Sequence, residues 1–209
     1  VRRDQIRGMV VACVVPPLSR SYMKLGGKYF GLKPLLVTAE TETGLVLNVE
    51  DPQGVGGDRI VNAVAARRLF ESPSVVVDFG TATTFDIISR EGTFDGGLIC
   101  PGIMLSLNAL FENAAMLPSL EFTQPKDVFG RNTQEAILSG IFYGYIGLVD
   151  GILKRIRERI GEDMRVVATG GLAAMIATES GYIQEVVTDL TLQGLRIVAE
   201  GMKEESVRS

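Results

Sequence analysis

The sequence predicts an α/β fold, because short valine-rich runs alternate with longer segments of helical periodicity. Three such runs stand out: "MVVACVV" (Met9–Val15), "SVVVDFG" (Ser74–Gly80) and "RVVATGG" (Arg165–Gly171). Each is followed closely by proline or glycine, which end regular structure. Between them lie "IVNAVAARRLF" (Ile60–Phe70), an amphipathic helix, and a long apolar stretch from Thr133 to about Ile160.

In chain order, Met9–Val15 reads as a buried strand stopped by Pro16 and Pro17. Residues 19–30 read as a helix and Leu35–Thr38 as a short strand. "EDPQGVGGDR" (Glu50–Arg59) is glycine-rich and leads into the helix that starts at Ile60. Val75–Asp78 is a strand. Thr84–Ser89 and Gly97–Cys100 predict an antiparallel hairpin turned by "REGTFD". Helices follow around 103–115 and from Thr133 to about Ile160, then the strand at Arg165–Gly171, then helices over 172–180 and 192–204.

A net charge of −4 and a pI near 5.0 argue against a general electrostatic grip on nucleic acid or on an anionic membrane. The chain has no histidine, which excludes His-based triads, His metal ligands and His general bases. Acid–base chemistry therefore falls to Asp, Glu, Lys, Tyr or Cys. Cys13 and Cys100 form neither a metal pattern nor a disulfide framework, and no signal peptide is present, so the cytoplasm is expected. The longest uncharged run, "AILSGIFYGYIGLV" (Ala136–Val149), is shorter than the ~18–20 residues of a spanning helix. Its apolar residues surround the helix, which suits burial on all sides in a core or at a dimer interface.

Four stretches can carry chemistry. In "DFGTATT" (Asp78–Thr84) a strand ends in an acid and turns on glycine and hydroxyls. Such a bend suits phosphate oxygens, with the carboxylate holding a cation; a plain hairpin with a capping Asp has the same composition. In "GVGGDR" (Gly54–Arg59), Asp58 is either the N-cap of the following helix or a base for a hydroxyl proton, and Arg59 offers a bidentate anchor for a carboxylate. "VVATGGLA" (Val166–Ala173) is either a nucleotide-lined turn or an ordinary strand–helix connection. In "FGRNT" (Phe129–Thr133), Asn132 or Thr133 caps the long helix.

The order and spacing of "VVPPL" (Val14–Leu18), "DPQGVGGDRIVNAVAA", "VVVDFGTATTFD", "GGLICPGI" (Gly96–Ile103), "GRNTQEAILSGIFYG" and "ATGGLA" closely resemble type III pantothenate kinase, over nearly the whole chain. That family belongs to the acetate and sugar kinase/Hsp70/actin superfamily. The resemblance implies ribonuclease H-like (actin/Hsp70-type) duplicated domains, here residues 1–72 for the remainder of the first half and 73–209 for the second. It implies ATP-dependent phosphorylation of pantothenate, the first step toward coenzyme A, in a cytoplasmic homodimer using Mg2+ and a monovalent cation (K+ or NH4+). Asp58 matches the family's general base. Gly56, Gly57 and Arg59 match its pantothenate segment, and Thr133 a pantothenate contact reached across the dimer interface. Asp78 matches the monovalent-cation ligand. Thr81 matches an ATP-phosphate contact, with Gly80, Thr83, Gly170 and Gly171 lining the same nucleotide site.

Two departures accompany the match. The family opens with a phosphate hairpin, Asp-X-Gly-Asn-Thr, and no such motif occurs before Glu50, so the chain reads as beginning part-way through the first half of the duplicated fold. The family's Tyr-Asp-Asn-Pro is here Val49-Glu50-Asp51-Pro52, placing Val49 at the position of a substrate-contacting tyrosine. These departures leave room for an inactive binding or regulatory relative, or for a kinase of another small alcohol.

Overall fold

The computed structural model describes residues 2–70, 73–113, 121–161 and 163–208. Its strands are β1 (Val10–Val11), β2 (Leu35–Leu36), β3 (Ser74–Phe79), β4 (Ala82–Ile88), β5 (Phe94–Pro101), β6 (Arg165–Gly170) and β7 (Glu185–Val186). Its helices are α1 (Pro16–Leu25), α2 (Gly57–Leu69), α3 (Ile103–Asn113), α4 (Thr133–Ile160), α5 (Ala173–Ala177) and α6 (Leu190–Arg208). The α/β class is as expected from the alternation.

The chain divides into two compact units. The first comprises Val1–Ser74, Asp86–Gly96 and Asp189–Ser209; the second comprises Val75–Phe85 and Gly97–Thr188.

In the first unit, β1 and β2 pair in parallel, Val10 against Leu35 and Val11 against Leu36. Val37, Ile60, Val61, Val64 and Val198 form a buried cluster under this pair. The expected strand at Met9–Val15 is shorter than predicted. Val14 and Val15 are exposed, and Pro16 and Pro17 occupy the first two positions of α1, where a missing N–H and a fixed φ are favourable. The helix expected over 19–30 is α1 followed by a wider turn, Gly26–Phe30, closed by Gly31.

A five-stranded sheet has the order β5-β4-β3-β6-β7. The two-residue connection Gly80–Thr81 makes β3 and β4 a tight antiparallel hairpin, with the Gly80 N–H donating to the Ala82 carbonyl. The β4–β5 turn is Ser89–Thr93 rather than 90–95, so β5 starts earlier than expected. β6 and β7 run parallel; the short β7 had no signal in the sequence. The core of the second unit includes Val75, Val76, Val77, Phe85, Leu107, Phe142, Leu153 and Val167, all fully buried.

The helix expected over 103–115 is α3; residues 114–115 lie outside those described. The one expected over 172–180 is the shorter α5, and that over 192–204 is the longer α6. α4 buries one stripe, Ser139, Phe142, Tyr145, Val149, Leu153 and Ile156, at helical spacing. Along the opposite stripe, a β-carbon on Gly140, Gly144 or Gly147 would meet nothing within 4 Å among the described residues beyond the helix's own backbone. Among the described residues, burial on all sides is therefore not achieved. Among the described residues α4 alone is long and apolar enough to cross a membrane. Its buried stripe instead packs on protein, and the Tyr145 hydroxyl donates to the Pro101 carbonyl at 2.5 Å.

Candidate active site

In the first unit, Gly56 rather than Asp58 is the N-cap of α2, and it makes no side-chain cap bond because it has no side chain. The capping reading of Asp58 is therefore replaced: the residue sits at the second helical position. A β-carbon on Gly56 would lie 2.5 Å from Asp58 Oδ1, so only glycine lets the carboxylate fold back over the entry to the helix. Asp58 Oδ1 accepts the backbone N–H of Arg59 at 2.8 Å. No basic side chain is paired with it among the described residues. The half-buried carboxylate thus retains acceptor capacity, in the positive field of a helix N-terminus.

Arg59 follows at the third position. Its Nε donates to Asp86 Oδ1 at 2.6 Å, and Nη2 lies 2.6 Å from the same oxygen. Its guanidinium sits 5.4 Å from the centroid of Phe94, within cation–π range. Asp86 is fully buried on β4. Sequence reasoning assigned Asp86 no role; the available signal was an acid between Phe85 and Ile88, both buried, in an otherwise apolar strand. Gly57 is buried beside Asp58. Val49 packs toward Gly96, its Cγ1 lying 3.6 Å from where a β-carbon there would stand. That approach is fixed by pairing of the segment before it with β5: Phe94 N–H donates to Val46 O and Asn48 N–H to Phe94 O, both at 2.9 Å.

In the second unit, Asp78, Gly80 and Gly170 come together where β3 and β6 end side by side. Gly170 has φ +94°, and a β-carbon on it would stand 2.6 Å from Phe79 O and 2.8 Å from Asp78 Oδ1. The strand ends are therefore close-packed and leave the Asp78 carboxylate half-exposed. Thr81 is exposed at the hairpin tip, and its carbonyl accepts the Gly102 N–H at 3.1 Å, tying the start of α3 to the turn. Thr83 points inward and is fully buried, unlike Thr81. Gly171 is exposed with open space around it. Among the described residues no three His, Cys, Asp or Glu side chains gather to form a metal cage. The donor set at Asp78, one carboxylate with nearby backbone carbonyls, suits a weakly charged cation, while a divalent ion would rely on phosphate and water ligands.

Thr133 is the first residue of α4 and is exposed; Asn132 is the cap, its Oδ1 accepting the Glu135 N–H at 2.9 Å. Glu135 Oε2 in return accepts the Arg131 N–H at 2.8 Å. Beside this start lies a cavity of about 220 Å³ lined by residues including Lys126, Phe129, Arg131 and Leu138. A second cavity, of about 400 Å³, is lined by Val64, Arg67, Arg68, Ile197 and Glu200. Neither of these two is lined by Asp58 or Asp78.

A family model described as type III pantothenate kinase matches residues 1–155. The type III pantothenate kinase of Myxococcus xanthus (strain DK1622) is 47% identical over 194 residues, covering 93% of this chain and 76% of the relative. Among solved structures, a conserved putative Baf family transcriptional activator from Campylobacter jejuni aligns with a TM-score of 0.64 at 21% identity, covering 97% of this chain and 87% of that one. At that identity the last likeness speaks for the fold.

Proposed function

The chain belongs to the type III pantothenate kinase family, and from that premise we propose that Asp58 is its general base. The activity is ATP-dependent phosphorylation of pantothenate, the entry reaction of coenzyme A biosynthesis. Phosphoryl transfer asks for positioning and charge neutralisation, and one carboxylate near the acceptor hydroxyl meets its need for a base. The observation that carries the assignment is the state of Asp58: relieved of capping by Gly56, accepting one backbone N–H and paired with no basic side chain among the described residues. It takes the hydroxyl proton as the oxygen attacks the terminal phosphate. Replacing it, Asp58→Asn, should lower kcat by about 10²–10⁴-fold with the fold intact. A variant that turns over at the wild-type rate would sink the assignment.

The remaining roles follow the same reading. Val49, Gly56, Gly57 and Arg59 line the pantothenate site, with Arg59 facing the substrate carboxylate, and Thr133 of a second copy completes it. Gly80, Thr81, Gly170 and Gly171 line the nucleotide site, with Thr83, expected there from the resemblance, buried beneath it. Exposed Thr81 is the hydroxyl best placed for a phosphate oxygen, whereas Thr83 acts through the packing under the turn. Asp78 holds a monovalent cation, K+ or NH4+. Such an ion, with Mg2+ on the phosphates, neutralises charge as the phosphoryl group moves.

A homodimer is supported by the open glycine stripe of α4 together with exposed Ile99 and Leu105 in the same unit. The sheet order β5-β4-β3-β6-β7, a hairpin meander extended by parallel strands, supports the actin/Hsp70-type reading of the fold. Cys13 and Cys100 are free thiols, in keeping with a cytoplasmic enzyme.

A further inference from the structure

The Arg59 guanidinium is fixed on two sides within the first unit. Its Nε and Nη2 both reach Asp86 Oδ1 at 2.6 Å, and the Phe94 ring lies 5.4 Å away on its face. The Arg59 side chain is 16% exposed and that of Asp86 0%. Stability is a weak reason for such a pair, since apolar replacements of buried ion pairs are often neutral or better. Buried Phe85 and Ile88 flank Asp86 on the same strand, so an aliphatic side chain would suit its position. What the carboxylate does is set the guanidinium plane. Nε alone donates a hydrogen bond to Asp86, and Nη2, buried beside the same oxygen, has no hydrogen-bond partner among the described residues, so the outer Nη edge keeps donors for a ligand.

We infer that Asp86 is a positioning residue for the substrate: it holds Arg59 so that the outer Nη edge of the guanidinium meets the pantothenate carboxylate. The inference rests on the reading of Arg59 as the carboxylate's partner. Asp86 touches neither reactant and acts through Arg59. Its loss lets the guanidinium swing away while the base, the phosphate turn and the chemical step stay as they are. The effect therefore falls on pantothenate binding and not on ATP binding or turnover.

The test uses the full chain and compares Asp86→Ala, Arg59→Gln and the double variant by steady-state kinetics in both substrates. Each single change should raise KM for pantothenate about 10–100-fold, the range for losing a hydrogen bond to a charged group, with KM for ATP within about twofold of wild type. The double variant should be no worse than Arg59→Gln, because both act on one contact. A wild-type pantothenate KM in Asp86→Ala beside a raised one in Arg59→Gln refutes the positioning role alone. So does a double variant whose defect is the product of the two. A wild-type pantothenate KM in Arg59→Gln refutes the reading of Arg59, and the inference with it. If Asp86→Ala does not fold, Asp86→Glu decides: it keeps the buried charge compensated but moves it by one methylene. A raised pantothenate KM there supports the inference and an unchanged one overturns it.

Discussion

Substituting alanine for Gly170 should loosen the junction between the ends of β3 and β6. The residue has φ +94°, and its added methyl would stand 2.6 Å from Phe79 O, 2.7 Å from Phe79 C and 2.8 Å from Asp78 Oδ1. Carbon–oxygen contacts settle near ~3.3–3.6 Å, so the end of β3 has to move by roughly 0.7 Å or more. Backbone strain for a side chain at such a φ contributes about 1–2 kcal/mol, and overpacking about 1–3 kcal/mol. The expected destabilisation is therefore about 2–5 kcal/mol. For a chain of this size that is a fall in Tm of roughly 5–15 °C, read by calorimetry or by fluorescence with an extrinsic dye. Gly171→Ala is the internal control: its β-carbon meets nothing, and the change should stay within about 0.5 kcal/mol. Because Asp78 is one of the displaced groups, the proposed cation role of Asp78 entails that Gly170→Ala should also blunt activation by K+ or NH4+. Two alanine variants melting together, both with normal cation activation, would refute the close-packing argument.

Asn132→Ala removes the cap of α4 and should cost about 1 kcal/mol, a drop in Tm of roughly 2–4 °C by calorimetry, and Asn132→Ser should recover most of it. Gly144→Arg places a long cation on the open stripe of α4; if the proposed homodimer forms there, sedimentation should show the variant as a monomer and the parent chain as a dimer, with monomer melting unchanged.

The legible parts of the fold were those where short-range chemistry and tertiary packing agree. The strand at Val75–Asp78, the hairpin after it and the helix from Thr133 to Ile160 all lie close to prediction. Uninterrupted valines, a two-residue glycine turn and an Asn cap each specify one local conformation. Met9–Val15 was overextended because an apolar run cannot say how many of its residues find a partner; only Val10 and Val11 pair with β2. Asp58 looked like a cap because composition does not locate the first helical residue, and Gly56, two residues earlier, took the capping position. Asp86 was visible only as an acid in an apolar strand. Its partner is 27 residues away, and nothing local marks the pairing. The uncharged run of α4 announced a buried helix, yet one stripe stays open in the single chain, since hydropathy does not distinguish a core from an unmade interface.

The first unit is drawn from three separated segments, and that has a bearing on its synthesis. The Thr191 hydroxyl on α6 donates to Asn62 Oδ1 on α2 at 2.8 Å, across 129 residues, and Val198 joins the cluster of Ile60, Val61 and Val64. α2 therefore emerges from the ribosome well before the helix that covers it. Until residues 189–198 follow, an apolar face of α2 stays uncovered, and the second unit, all of whose residues precede them, has the chance to form first.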